Sequence, residues 1–236
     1  MTLYQARSWA FFFLVFIMAA ASFPVRAMDG EILTSLGSRD FLFLDKTLNT
    51  LQADFEINHA TEIQLRDAFR PFYKLDINQQ DALRAWAQNF PKSYAAHLAL
   101  GIFLKRAGWE ARGSRFISET SQAQIAEMHK LFGISQLELN RSLALSTKPY
   151  LSIFHLLDIA RAEGDDEQSH ALLARANKML PNNRLARNRY LISLAGGMLS
   201  QKWPLGTGFP VARLMWRHAL RTSAHTLATM YIMSTH

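Results

Sequence analysis

The sequence predicts an all-α protein, and three observations carry that expectation. Apolar residues recur three and four positions apart through most of the chain, the spacing that lines one face of an α-helix. Helix-start signals precede those runs, two of them in the capping-box pattern of a hydroxyl residue followed three positions later by Gln. Eleven Gly and seven Pro in 236 residues are too few for the dense turns of an all-β fold. Each amphipathic helix has one apolar face that needs a neighbour, so the expected architecture is a stack of antiparallel helical hairpins.

The first element is an export signal, residues 1–27. Arg7 supplies a positive flank, Trp9 to Ala21 is an unbroken apolar run, and Val25-Arg26-Ala27 has the small-residue pattern of a cleavage site. The run is shorter than the ~20 residues needed to cross a bilayer. Cleavage then places the mature chain, from near Met28, in the periplasm or outside the cell. The alternative is an uncleaved anchor in the inner membrane through residues 8–22. The chain has no Cys, which excludes disulfides, cysteine nucleophiles and thiolate metal sites.

Residues 28–39, with Gly30, Gly37 and Ser38, read as a linker, and residues 40–194 as the helical domain. Leu44, Leu48, Leu51 and Phe55 line one helix face. Thr61-Glu62-Ile63-Gln64 opens a second helix carrying Leu65, Ala68, Phe69 and Phe72, which Pro71 must bend or shorten. A third, from Asn78 to Phe90, carries Leu83, Trp86, Ala87 and Phe90 on one face and stops before Pro91. Ser93 caps the next helix, whose face carries Leu98, Ala99, Ile102 and Phe103. Lys105 and Arg106 fall in its expected last turn, with Gly108 at the left-handed C-terminal position and Trp109 to Gly113 as a loop.

Ser121 and Gln124 form the second capping box, ahead of a long helix with Ile125, Met128, Phe132, Leu139 and Leu143 in phase. Gly133 marks a kink or a close neighbour in it. Tyr150 to Glu163 and a further helix from the acidic start Asp165-Asp166-Glu167 to Leu180 make a hairpin turned at Gly164. A last helix begins near Arg184. Pro149 to Pro181 has about the 34-residue length of a tetratricopeptide unit. Leu98-Ala99-Leu100-Gly101 with Phe103, and Ala176 with Pro181, echo that repeat's two helices, so the stack is expected to be a tetratricopeptide-like superhelix.

Few residues offer chemistry. No two of the eight His share the i, i+3 or i, i+4 spacing that puts metal ligands on one helix face. Gly206-Thr207-Gly208 lacks the remaining glycine and the strand–helix context of a nucleotide fingerprint, and no phosphate-cradling loop is present. His155 and Asp158 fit a half-buried polar pair better than a triad. No metal and no cofactor is therefore expected, and no residue is assigned a catalytic role. Trp109-Glu110-Ala111-Arg112-Gly113 is the most function-like cluster, because a guanidinium beside an indole can hold a carboxylate or phosphate. The competing role is structural, with Trp109 plugging a groove between helices and Arg112 tying down the loop.

Trp86, Pro91-x-Ser93, Ala96, Gly101, the Trp109-x-Ala111-Arg112-Gly113 run and the Ala176 to Pro181 spacing resemble a bacterial family, domain of unknown function 4034. The likeness covers roughly residues 41–194. It implies a tetratricopeptide-like helical domain with no established activity, and it supplies no catalytic residue. Such a family is expected to carry an Arg-Trp-Gly-Gly-Ser type segment soon after Arg189-Tyr190-Leu191. Here the chain reads Leu194-Ala195-Gly196-Gly197-Met198 instead.

Charge is uneven. Residues 1–167 hold 17 Lys and Arg against 19 Asp and Glu, whereas residues 168–236 hold nine Lys and Arg and no acid. Residues 195–236 read as a basic tail, either aberrant relative to the family or disordered. Taken together, the residues lead to an exported, non-catalytic helical-repeat module that binds a protein or peptide on a concave face, with Tyr94, His97, Trp109 and Arg112 as candidate contacts or anchors. Two alternatives stay open: an enzyme with a dispersed site near the Trp109–Gly113 loop, and a protein that binds anionic lipid through its basic tail. No nucleic acid is expected, and membrane contact is expected only through an uncleaved signal or that tail.

Overall fold

The computed structural model describes residues 25–114 and 119–192, and all of them belong to the first unit of a chain that divides after Ser193. Within these residues every regular element is helical and none is a strand. The export signal lies almost wholly outside the described residues, as does the basic tail.

Helix α1 (Val25–Gly37) occupies the stretch expected to be a linker. The expectation fails because Met28, Ile32 and Leu36 fall four apart, and Ile32 and Leu36 are fully buried in the core. Gly30 lies on the exposed side with open space around it, and Gly37 closes the helix, so neither interrupts it. Asp29 pairs with Arg70 at 2.8 Å, tying α1 to the turn after α3.

Helix α2 (Phe41–Glu56) starts at Asp40, whose carboxylate accepts from the Phe43 amide, and buries Leu44, Leu48 and Phe55. Helix α3 (Glu62–Ala68) starts with the predicted capping box: the Thr61 hydroxyl accepts from the Gln64 amide while the Gln64 side chain accepts from the Thr61 amide. Pro71 acts as expected. α3 stops at Ala68 and the chain continues as a 3₁₀ turn, Arg70–Tyr73, in which Pro71 has no amide to leave unpaired. A second 3₁₀ turn, Ile77–Gln79, leads into α4 (Gln80–Asn89), where Trp86 is fully buried against Phe72 with ring centroids 6.1 Å apart.

Helix α5 (Tyr94–Arg112) is the axis of the domain, with fourteen of its nineteen residues buried. Its first turn is capped twice. The Ser93 hydroxyl accepts from the Ala96 amide, and Asn49 of α2 accepts from the Ala95 amide while donating to the Ser93 hydroxyl. The helix runs one turn further than its punctuation predicts. Gly108 is interior helix, and Gly113, with φ of 79°, is the residue that ends it. Trp109 to Arg112 is therefore a last helical turn and not a loop, and Lys105 sits mid-helix, away from the dipole's negative end. Gly108 is glycine for a different reason. A Cβ there would lie 2.7 Å from the Phe132 ring, and one at Gly101 would lie 2.7 Å from Leu139.

Those two glycines bring α5 against α6 (Gln122–Ala144), which opens with the second predicted capping box. Gly101 faces Leu139 and Gly108 faces Phe132, so the two helices are antiparallel. The Ser135 hydroxyl donates to the Gly101 carbonyl at 2.7 Å across the contact. Gly133 has open space where a Cβ would go and marks neither a close neighbour nor a need for glycine.

Helix α7 (Tyr150–Glu163) returns along α6, with Ser142 meeting Ser152 at 2.8 Å near one end and His129 meeting Glu163 near the other. Gly164, left-handed at φ of 75°, turns the chain into α8 (Asp166–Met179), where the Asp165 carboxylate accepts from the Gln168 amide. The link from α6 to α7 is clamped onto the end of α2: Glu56 accepts from Ser146, Thr147 and Gln52. Lys148 donates to the Phe55 carbonyl and stacks over the Phe55 ring at 4.3 Å. Residues 185–192 form the last described helix, α9. It is pinned by Glu62, which accepts from the Arg184 amide at 2.6 Å, and by the Tyr150 hydroxyl, which accepts from the Ala186 amide. No helix among the described residues is long and apolar enough to cross a membrane.

Candidate functional site

Polar groups converge at two places to which α5 contributes. One is a groove of about 600 Å³ between α4, α5 and α6. Its walls are apolar at Ala87, Pro91, Leu100 and Leu145, and its polar groups come from Arg84 and Gln88 on α4, His97 on α5, and Glu138 and Arg141 on α6. His97 is the hinge of this arrangement. Its Nδ1 lies 2.7 Å from a Glu138 oxygen and its Nε2 lies 3.0 Å from the Pro91 carbonyl. Both neighbours of the ring offer acceptor oxygens, an arrangement that favours the imidazolium form, in which both nitrogens donate. The hydrogen bond to Glu138 accordingly raises the His97 pKa above its ordinary value, against the opposing effect of burial.

The other Glu138 oxygen accepts from Arg141 at 2.7 Å, and Glu138 is itself buried. His97 thus clips the turn before α5 to α6, and the side chains of Arg141 and Arg84 stand at the groove beyond it. Arg84 makes paired hydrogen bonds at 2.9 Å to the Gln80 side-chain oxygen once that amide is turned to accept them.

The second convergence is buried. Lys105 of α5 donates to Asp158 and, at 3.0 Å, to Nδ1 of His155, both on α7. A charged lysine has only donors, so His155 accepts at Nδ1 and carries its hydrogen on Nε2, which donates to the Tyr73 hydroxyl at 2.8 Å. Arg189 of α9 closes the cluster with an ion pair of 2.8 Å to the second Asp158 oxygen. Burial, with Lys105 and Arg189 nearby, holds the His155 pKa well below its ordinary value, so this ring is neutral. Burial also pulls the Lys105 pKa down, with Asp158 opposing it, and pushes that of Tyr73 up. His155 and Asp158 do meet, as their spacing allows, but through Lys105 and not directly. His155 is fully buried and Lys105 is only 4% exposed, whereas Tyr73 and Arg189 at the edge of the cluster reach solvent. No group of three or more His, Asp or Glu among the described residues could hold a metal.

The four residues singled out in the sequence separate. His97 borders the groove. Tyr94 is 3% exposed, with its hydroxyl beside Ser152 in the interior. Trp109 is partly exposed, edge-on to Phe132 at 5.4 Å, and the Arg112 guanidinium lies 5.8 Å from the Trp109 ring. Arg112 makes one long contact, 3.5 Å, to the Gly113 carbonyl. The structure therefore does not gather these four at one site. Arg84, Glu138, Arg141 and Lys105 were not singled out. A Glu three positions before an Arg on a helix reads as an ordinary surface pair. Only α5 passing alongside α6 makes Glu138 the partner of His97.

The described residues define an all-α domain built around a buried central helix that presents an open groove on one side. A family model described as domain of unknown function (DUF4034) matches residues 39–184. That is more than half of the chain, and the chain belongs to this family. No curated protein and no solved structure matches it. All the groove residues fall within the matched span, whereas Arg189 of the buried cluster falls outside it.

Proposed function

We propose that this chain is an exported helical module, built on tetratricopeptide-like lines, that binds a segment of another protein in the groove between α4, α5 and α6. The observation that carries the reading is the groove itself: about 600 Å³, apolar-walled, edged by polar groups held in place by the His97–Glu138 clip. Export rests on the residue pattern of positions 1–27, and the module's role outside the cytoplasm follows from it. The Lys105–His155–Asp158 cluster keeps its lysine and imidazole in the interior. Its ion pairs join α5, α7 and α9, which is a structural role.

The test uses groove-filling substitutions at positions whose side chains already reach solvent. Gln88→Trp and Leu145→Trp each place an indole across the groove with little demand on the core. The purified chain, crosslinked in a cell-envelope extract, is expected to capture a partner that both variants lose and Arg112→Ala retains. Capture that survives both Trp substitutions would place the binding surface elsewhere.

A further inference from the structure

The groove's charge narrows what it can hold. Glu138 is the only acid in its lining, and both of its oxygens are already engaged, one by His97 and one by Arg141. The two arginines alone outnumber the one carboxylate, and both His97 nitrogens face acceptors, so in its imidazolium form His97 adds a third positive charge. The two arginines have capacity to spare. The Arg141 side chain is 61% exposed and uses one terminal nitrogen on Glu138, and Arg84 is turned only toward the neutral Gln80. A guanidinium has five donors in a planar fork that matches a carboxylate. Between the two arginines the wall is aliphatic, with Ala87, Leu100 and Leu145 and no aromatic face for a base to stack on.

We propose that the groove accepts an acidic peptide segment with interspersed apolar side chains, Arg84 and Arg141 pairing with its carboxylates while the apolar residues seat against Leu100 and Leu145. This rests on the reading of the groove as a binding surface and adds to it the chemistry of the partner. The His97–Glu138 bond is part of the device. It offsets the one carboxylate that would repel such a ligand.

The experiment titrates the full purified chain into two fluorescein-labelled peptides, one of alternating Glu and Leu and one of alternating Lys and Leu, and follows anisotropy. The acidic peptide is expected to bind with an affinity that falls as salt rises, and the basic peptide is expected not to bind. The double variant Arg84→Gln/Arg141→Gln is expected to lose about tenfold or more in affinity, the size of one or two charge-assisted hydrogen bonds. The variant Arg175→Gln/Lys178→Gln, which removes the same charge from α8, is expected to bind as the parent does. Arg141, Arg175 and Lys178 are exposed and Arg84 is half-buried, and circular dichroism checks that each variant keeps its helix content.

Equal binding of the two peptides, or equal loss in the groove and α8 variants, overturns the proposal. So does a chain that ignores the acidic peptide and binds anionic phospholipid vesicles with the same arginine dependence. Binding of the acidic peptide that Gln88→Trp abolishes and Arg84→Gln/Arg141→Gln leaves intact overturns the acidic preference alone and leaves the groove reading in place. Binding that neither change touches overturns both.

Discussion

Replacing Asp158 by Asn removes the only carboxylate beside the buried Lys105 ammonium. The volume hardly changes, so the loss is electrostatic. With its counter-ion gone, Lys105 has two costly options. It can stay charged in the interior, or it can give up its proton to the solvent. The second sets a ceiling. At pH 7, deprotonating an amine of ordinary pKa about 10.4 costs about 4.6 kcal/mol. Breaking a buried pair from one side typically costs about 3–5 kcal/mol, which agrees. Urea denaturation of Asp158→Asn at pH 7 is therefore expected to show a loss of about 3–5 kcal/mol.

The sign of the pH dependence follows from the same argument. If the folded variant holds Lys105 neutral, the unfolded chain binds one more proton at every pH below about 10. Stability then rises with pH by up to about 1.4 kcal/mol per unit, recovering up to about 2.7 kcal/mol of the loss between pH 7 and pH 9. Adding Lys105→Met to Asp158→Asn removes both charges together and is expected to restore most of what the single change loses. A loss under about 1 kcal/mol in the single variant, or a double variant as weak as the sum of the two singles, would refute the picture of a sealed, coupled pair.

The two buried histidines pull stability in opposite directions with pH. His97 is raised in the folded chain, so its contribution is full below about pH 6.5 and fades as pH climbs through its folded pKa. His155 is lowered, so the unfolded chain takes up the proton first and stability falls as pH drops below about 6.5. Thermal melts of His97→Ala should thus lose more stability against wild type at pH 5.5 than at pH 8.5, and His155→Gln should flatten the fall on the acid side. Gly108→Ala gains about 1 kcal/mol of helix propensity but drives a methyl to 2.7 Å from the Phe132 ring. A net loss of about 1–2 kcal/mol in urea denaturation is expected, and a stabilised variant would deny the close approach of α5 and α6. Arg112→Ala, which gives up one long hydrogen bond and a stack on Trp109, should change stability by less than about 1 kcal/mol. Intact mass spectrometry of the protein from its native compartment should find residues 1–27 removed.

The helices were legible wherever local chemistry decides. The capping boxes at Thr61 and Ser121, the cap at Ser93, the stop before Pro91 and the turn at Gly164 all form from groups within a few residues of one another, so their signals survive in one dimension. The misreadings share a cause as well. Gly30 and Gly37 looked like a linker, and Gly108 looked like a helix end. Glycine does mark those features, but it also serves where one backbone passes close to another or where nothing is asked of a side chain. Distinguishing these uses requires the neighbour. For Gly108 the neighbour is Phe132, on the next helix.

By itself the sequence determined the class of fold, the family and most helix boundaries. It also marked His97 as a candidate, through nothing more specific than its helix. The polar pairings between helices were decided only in three dimensions. His97 with Glu138 is 41 residues apart in the chain, Lys105 with His155 is 50, and Tyr73 with His155 is 82. A helix fixes what lies three or four residues away on its own face. Which face of another helix comes alongside depends on the close approach permitted at Gly101 and Gly108. That contact turns His97 into the partner that clips Glu138, and the space left beside α4 into a groove.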